Sequence, residues 1–291
     1  MKIGFIGQGW IGRNYANDFE KRGFSIVRYS LDPEHLKNRD EIATCEIVFI
    51  AVPTPTSPDG ANINSIRDVL PLVGTGNIAV IKSTISPGTT EALQSEFPHI
   101  SILHSPEFLV EGTAEHDAAH PDRNIIGIPK MTEAYTEHAK LVLSVLPKAP
   151  YETIMNARDA EFVKYAGNCF LYTKVIYMNM LYDLVKSMGG DWSRIKDAFT
   201  NDPRIGTSHA EPIHKSGRGA GGHCFIKDFE AFRQMFDKYT LDTTGSELLK
   251  AMAYKNMQLL VESNKDIDLL RGVYGDLNKH RMWKNTHDTL L

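Results

Sequence analysis

Cys224 lies in the stretch SGRGAGGHCFIKD (216–228), set among glycines and followed by Lys227 and Asp228. Glycines let backbone approach a ligand, a lysine favours a thiolate, and an aspartate accepts or relays a proton, so this company suits a nucleophilic sulfur. Cys169, in an apolar helical stretch, and Cys45, beside an apolar strand, read instead as packed core thiols. Lys164 and Asn168 in EFVKYAGNCF are four residues apart, a spacing that points both side chains from one helix face into a cleft. An ammonium beside a carboxamide suits stabilisation of the oxyanion that develops as a carbonyl is attacked. Taken alone, the pair reads better as a surface lysine beside a helix-face asparagine. Glu107 and Glu111 in SPEFLVEGT share that spacing, which by itself describes a solvated helix face. His116 and His120 in HDAAH have ligand spacing, yet no third ligand accompanies them and no metal is expected.

These residues need elements to position them. The run MKIGFI has strand length and stops at Gly7-Gln8-Gly9-Trp10-Ile11-Gly12, after which Arg13 to Lys21 has helical character. A strand, a glycine turn and a helix in that order form a dinucleotide site: glycine admits a pyrophosphate to the backbone, and the helix start offers free N–H groups. Strands are expected at 24–29, 46–52, 77–82, 100–104 and 123–128, and helices at 65–72, after Pro87 and at 132–145. That alternation predicts an α/β fold with a Rossmann-like, doubly wound parallel sheet. Ser30 stands where an acidic residue for the ribose hydroxyls is usual, with Arg28 before it and Asp32 after. No arginine immediately follows Ser30 to hold a 2′-phosphate, so NAD is expected over NADP.

From about Ala157 the strand signal ends and the chain reads as helix up to Gly189-Gly190, a strong stop. Asp191 caps a short helix, and further helices are expected at 225–239 and 246–263 around a loop from Asn201 to Gly222. The expected division is therefore a dinucleotide-binding domain over 1–157 and an all-helical central domain over 158–291 that carries the cysteine loop. Residues after Asn264 show weak periodicity.

Composition bounds the function. The chain has 291 residues, 42% of them hydrophobic, and a net charge of −4 with no long basic run, which argues against a nucleic-acid partner. Lys279 to Lys284, the most basic stretch, reads as a solvated tail. Three scattered cysteines do not make a disulfide framework and point to a reducing compartment. The apolar opening is too short for a membrane span and lacks a signal-peptide pattern, so a cytoplasmic protein without membrane contact is expected.

The chain resembles the UDP-glucose/GDP-mannose dehydrogenase family. The likeness runs through GQGWIG (7–12), VPTPT (52–56), KSTISPGTT (82–90), SPEFLVEG (105–112), HPDR (120–123), KYAGN (164–168), DPRIG (202–206) and GAGGHCFIKD (219–228), in the family's order. It implies a four-electron oxidation of a sugar C6 alcohol to a carboxylate with two NAD molecules, through a cysteine-bound thiohemiacetal and thioester. Cys224 then matches the nucleophile, Lys164 and Asn168 the oxyanion-stabilising pair, and Asp228 the aspartate that orders water and protons. Thr84 and Glu111 match water-holding and base positions. The resemblance places the cofactor against Gly7, Gly9, Trp10, Ile11, Gly12, Ser30, Thr54, Ser83, Thr84, Glu111 and Lys227. It places the substrate against Glu107, Phe108, Leu109, Lys164, Asn168, Gly221 and Arg204, the last matching an arginine that reaches across a dimer interface. A homodimer is expected, since the apolar stretch from about Asp159 to Met188 is hard for one small domain to cover.

Three departures stand out. Relatives continue into a third domain that grips the nucleotide, whereas this sequence ends at Leu291, so a short form is expected. His214, Lys215 and Arg218 are then the local basic cluster for the phosphate of a sugar nucleotide or sugar phosphate. Ser30 lacks the expected acid, and Ala220 replaces a frequent aromatic residue. His223 resembles the UDP-N-acetylmannosamine branch, whereas FIKD resembles the UDP-glucose branch. The alternatives are a 3-hydroxyacid dehydrogenase, which has its own Lys-x-x-x-Asn pair but needs no cysteine, and a catalytically inactive nucleotide-binding relative.

Overall fold

The computed structural model describes residues 1–58 and 60–277, so the basic stretch at 279–284 lies outside the described residues. The chain forms two compact units: Met1–Thr54 with Ala61–Lys164, and Pro55–Gly60 with the residues from Tyr165 onward.

Up to residue 156 the elements run β1 (Lys2–Ile6), α1 (Trp10–Lys21), β2 (Ser25–Tyr29), α2 (Pro33–Leu36), β3 (Ile47–Ile50), the two-residue strands β4 (Thr56–Ser57) and β5 (Gly60–Ala61), and α3 (Asn64–Val69). Then follow β6 (Ile78–Ile81), α4 (Thr89–Glu96), β7 (Ser101–His104), α5 (Ala114–Ala119), β8 (Arg123–Ile128), α6 (Glu133–Val145) and β9 (Tyr151–Asn156). Seven strands form the sheet of the first unit in the order β2-β1-β3-β6-β7-β8-β9. The central strands β1, β3, β6 and β7 are buried on both faces, to which their side chains point alternately. Ile3, Phe5, Ile47, Phe49, Ile78 and Val80 face a core with Phe19 of α1 and Val142 of α6. Ile6, Val48, Ile50, Ala79 and Ile81 face the opposite core with Ile66 of α3 and Leu93 of α4. Phe5 stacks on Phe49 at 5.2 Å between ring centroids, and Phe19 meets both edge-on.

The sheet departs from the expected all-parallel form. β7 and β8 pair antiparallel, so β8 and its parallel neighbour β9 run against the first five strands. Alternating hydrophobicity marks a strand but not its direction. β9 escaped the sequence reading because YETIMN at the sheet edge mixes polar and apolar residues and none of the six is fully buried.

The remaining elements are α7 (Ala157–Ser187), α8 (Trp192–Thr200), β10 (Ile213–His214), β11 (Gly217–Arg218), α9 (Gly222–Tyr239), α10 (Thr243–Glu262) and α11 (Ile267–Tyr274). This part is helical as expected, with a two-residue-strand hairpin, β10–β11, inside the glycine-rich loop. α7 ends as the two glycines require: Gly189 has φ +74°, and the Gly190 amide donates to the Val185 carbonyl at 2.8 Å. The Asp191 carboxylate accepts from the Arg194 amide and starts α8. α10 starts earlier than expected because the Asp242 carboxylate accepts from the Gly245 amide at 2.9 Å. Tyr172 of α7 stacks on Phe229 of α9 at 3.9 Å and centres the core of the second unit. Among the described residues no helix is long and apolar enough to cross a membrane.

Candidate active site

The order of β2, β1 and β3 puts a topological switch point between β1 and β3, where open α/β sheets bind ligands at the carboxyl ends of their strands. The glycine turn fills that point. Gly7 has φ +90°, and a Cβ there would overlap the Ala51 carbonyl oxygen beyond β3. A Cβ on Gly12 would overlap the Gly7 carbonyl oxygen, so α1 starts against the turn only with glycine there. Gly9, the N-cap of α1, faces open space and no side chain caps the first helical turn, an arrangement that suits an anion. Ile11, partly buried, packs its side chain against the core. Beyond β3 and β6 the backbone is fixed by two hydroxyls: Thr54 Oγ1 donates to the Thr84 carbonyl and Ser83 Oγ to the Val52 carbonyl, each at 2.7 Å. At the end of β2, Ser30 Oγ donates to Asp32 at 2.9 Å, so a carboxylate stands beside the position that lacks one. Arg28 is committed to Glu20 at 2.9 Å and to Gln8, which removes it as the obvious 2′-phosphate ligand. Trp10 and Glu111 line one groove with His116 and His120, whose rings stack at 4.6 Å. Among the described residues no three metal-ligating side chains gather.

Lys164, the last residue of the first unit, is buried. Its Nζ donates to the Glu107 carbonyl at 2.6 Å and lies 3.4 Å from Glu107 Oε2, while Glu107 Oε1 accepts from the Leu109 amide. The solvated-helix reading of Glu107 and Glu111 is thereby corrected: Glu107 is buried in non-helical chain after β7, and Glu111 is exposed. A buried carboxylate persists only with such partners, and removing one costs about 3–5 kcal/mol. Phe108 carries the Arg123 guanidinium 3.8 Å from its ring centre. Lys82, in the KSTISPGTT stretch, carries no local sign of a task. Its buried Nζ donates to Ser105 Oγ at 3.0 Å and lies 4.3 Å from the centre of the Tyr15 ring. Burial pushes Lys82 down to about 8, against the opposing pull of Glu107.

In the second unit Cys224 is exposed and is the third residue of α9, which begins at Gly222 rather than at Phe225 as expected. The sulfur thus belongs to the first turn of an 18-residue helix, where the dipole favours negative charge. One turn on, Asp228 is buried, accepting from Asn168 Nδ2 at 2.6 Å and from Lys227 Nζ at 2.6 Å. Asn168 is therefore no bystander on a helix surface. Lys227 spends its charge on Asp228, the residue next to it. Cys169 and Cys45 are buried, and burial pushes both thiols up, Cys45 to about 11.

Residues far along the chain hold the cysteine loop, and sequence motifs did not reveal them. Asn256 accepts from the Ala220 amide at 2.7 Å and donates to its carbonyl at 2.9 Å. Lys265 Nζ donates to the carbonyls of Gly217 and Gly219, and Asp266 accepts from the Gly222 amide. A Cβ on Gly221 would overlap the Asp266 carboxylate. Of the expected phosphate cluster, Arg218 bonds Asn179 and pairs with Asp183 at 2.7 Å. Arg204 is exposed and forks onto Asp202, in a loop whose carbonyls at Ile205 and Gly206 accept from Lys174.

Residues 35–143 match the NAD binding domain of the UDP-glucose/GDP-mannose dehydrogenase family, and residues 158–258 match its central domain. The UDP-glucose 6-dehydrogenase YwqF of Bacillus subtilis (strain 168) is 34% identical over 247 residues, covering 80% of this chain and 54% of that protein. The chain thus spans about half the length of the curated relatives it matches. The structure of a UDP-glucose dehydrogenase from the hyperthermophilic archaeon Pyrobaculum islandicum superposes with a TM-score of 0.74 at 27% identity, over 90% of this chain and 71% of that one. A 3-hydroxyisobutyrate dehydrogenase of Mycobacterium tuberculosis shares the fold, with a TM-score of 0.69 at 15% identity over 96% of this chain and 99% of that one. With both domain matches falling on the observed sheet and helices, the chain belongs to the UDP-glucose/GDP-mannose dehydrogenase family, of which it carries the NAD binding and central domains.

Proposed function

We propose that the chain oxidises the C6 alcohol of a UDP-sugar or related sugar nucleotide to the carboxylate, using NAD. The observation that carries this reading is the arrangement around α9: an exposed Cys224 one turn from a buried Asp228 that Asn168 holds at 2.6 Å. The turn Gly7–Gly12 would hold NAD, which would supply the hydride acceptor for each oxidation. Lys164 offsets the negative charge on the substrate oxygen, and Asn168 donates a hydrogen bond to it. The Cys224 thiolate adds to the aldehyde carbon, making a C–S bond and a thiohemiacetal. Loss of the second hydride leaves a thioester, and water, ordered by Asp228 with Thr84 and Glu111, breaks the C–S bond to release the acid and the thiol. Each substrate gains one water oxygen and gives up two hydrides. Glu107, Phe108, Leu109 and Gly221 shape the sugar site in this reading, and Arg204 reaches the site of a partner subunit.

A second copy covers α7 in the same reading. Phe170, Tyr177, Met180 and Leu184 are exposed large apolar residues at spacings of seven, three and four, one stripe of α7, and exposed Met188 follows in the turn just beyond it. A homodimer buries such a stripe against itself.

Cys224→Ser tests the nucleophile. The expected result is loss of acid formation by at least about a thousandfold with NAD binding unchanged, since the nucleophile is removed and the glycine turn is not. Acid release at the wild-type rate by Cys224→Ser overturns the mechanism.

A further inference from the structure

Two left-handed residues, Asn264 at φ +50° and Asp266 at φ +54°, flank Lys265 between α10 and α11. Asn and Asp are the non-glycine residues that adopt that conformation most readily. Here the turn aims two opposite charges at one loop. Lys265, 7% exposed, donates to the carbonyls of Gly217 at 3.4 Å and Gly219 at 3.1 Å. Asp266 Oδ2 accepts from the Gly222 amide at 2.7 Å. That amide belongs to the first residue of α9, two residues before Cys224, and Gly221 is glycine where a Cβ would strike the carboxylate.

We propose that Asp266 is a positioning residue for the Cys224 loop which also fixes a negative charge at the N-terminal end of α9, the end at which the reaction needs a thiolate. The inference rests on the reading of Cys224 as the nucleophile. A helix start stabilises an anion through its free amides and dipole. Asp266 takes one of those amides and brings its own charge, so it opposes a second anion on the same turn. The resting cysteine is thereby biased toward the less reactive thiol. The other titratable or charged groups around this helix end are His223, Lys227 and Asp228 on α9, Lys265 beside Asp266, Cys169 of α7 against the Asp228 carbonyl, and His209 against the Phe225 ring. Lys227 is paired with Asp228, and Lys265 is held by carbonyls of the loop, which leaves Asp266 as the charge bonded to the helix start itself.

The test is the pH profile of Cys224 alkylation by iodoacetamide, read by peptide mass spectrometry on the full chain without substrate or cofactor. Cys45 and Cys169 are buried, so Cys224 reports alone. Asp266→Asn keeps an acceptor oxygen for the Gly222 amide and suits a left-handed backbone, but removes the charge. The midpoint is expected to fall by about half a pH unit, roughly a threefold gain in rate below it. Asp268→Asn, which removes an exposed charge elsewhere on α11, is expected to leave it unmoved. If Asp266→Asn fails to fold, Asp266→Gly removes the same charge at a backbone angle glycine adopts freely, with the same expected shift. An unmoved or raised midpoint in the folded variant overturns the proposal. Failure of the nucleophile reading shows separately, as acid formation by Cys224→Ser.

Discussion

His104 ends β7 inside the sheet and is buried. Burial and then the neighbouring Lys82 charge push it down to about 3. The ring therefore stays neutral in the folded protein while the unfolded chain takes up its proton near pH 6.5. Between those values the unfolded state binds more protons, so stability falls as pH drops through this window. The expected loss from this residue between pH 7 and pH 5 is about 2 kcal/mol. Urea unfolding at both pH values checks it: His104→Leu should lose correspondingly less than the wild type, and an equal loss in both proteins rejects the assignment. Neither His104 nor Lys82 announced its role in the sequence, because each ends a segment that reads simply as strand. Their environment comes from Tyr15, Ser105 and Glu107, which only the fold brings together. Cys224, Lys164, Asn168 and Asp228 were legible because glycine neighbours and helical spacing are local properties.

At the scale of elements, the start of α4 depends on α7. Glu161, fully buried, accepts from the amides of Gly88 at 2.5 Å and Thr90 at 2.8 Å and from Thr90 Oγ1 at 2.6 Å, serving as the cap that Gly88 itself lacks. Glu161→Ala strands those donors in the interior, and a loss of about 3 kcal/mol is expected. Chemical denaturation measures it, and a change below about 0.5 kcal/mol would show that the amides find other partners. Caps that lie next to their helix in sequence, such as Asp191 and the Gly189-Gly190 stop, were readable directly. Caps contributed from afar were not, and for that reason the start of α9, fixed by Asp266, was placed three residues too late.

For the molecule as a whole, alternating strands and helices followed by long helices revealed the two-part α/β architecture, while strand direction at the sheet edge and the β10–β11 hairpin depend on pairings that hydrophobic periodicity does not encode. The proposed homodimer is tested at the α7 stripe. Leu184→Asp, placing a charge at an exposed position of that stripe, is expected to shift the protein from dimer to monomer in sedimentation while helicity is kept; a wild-type monomer would remove the premise. The central claim is a four-electron oxidation on one cysteine, and the yield of NADH per sugar nucleotide consumed measures it most directly. With UDP-sugars as substrate and limiting amounts carried to completion, the account predicts two NADH and one carboxylate per substrate. A yield of one NADH, with a ketone or aldehyde as the final product, would contradict it.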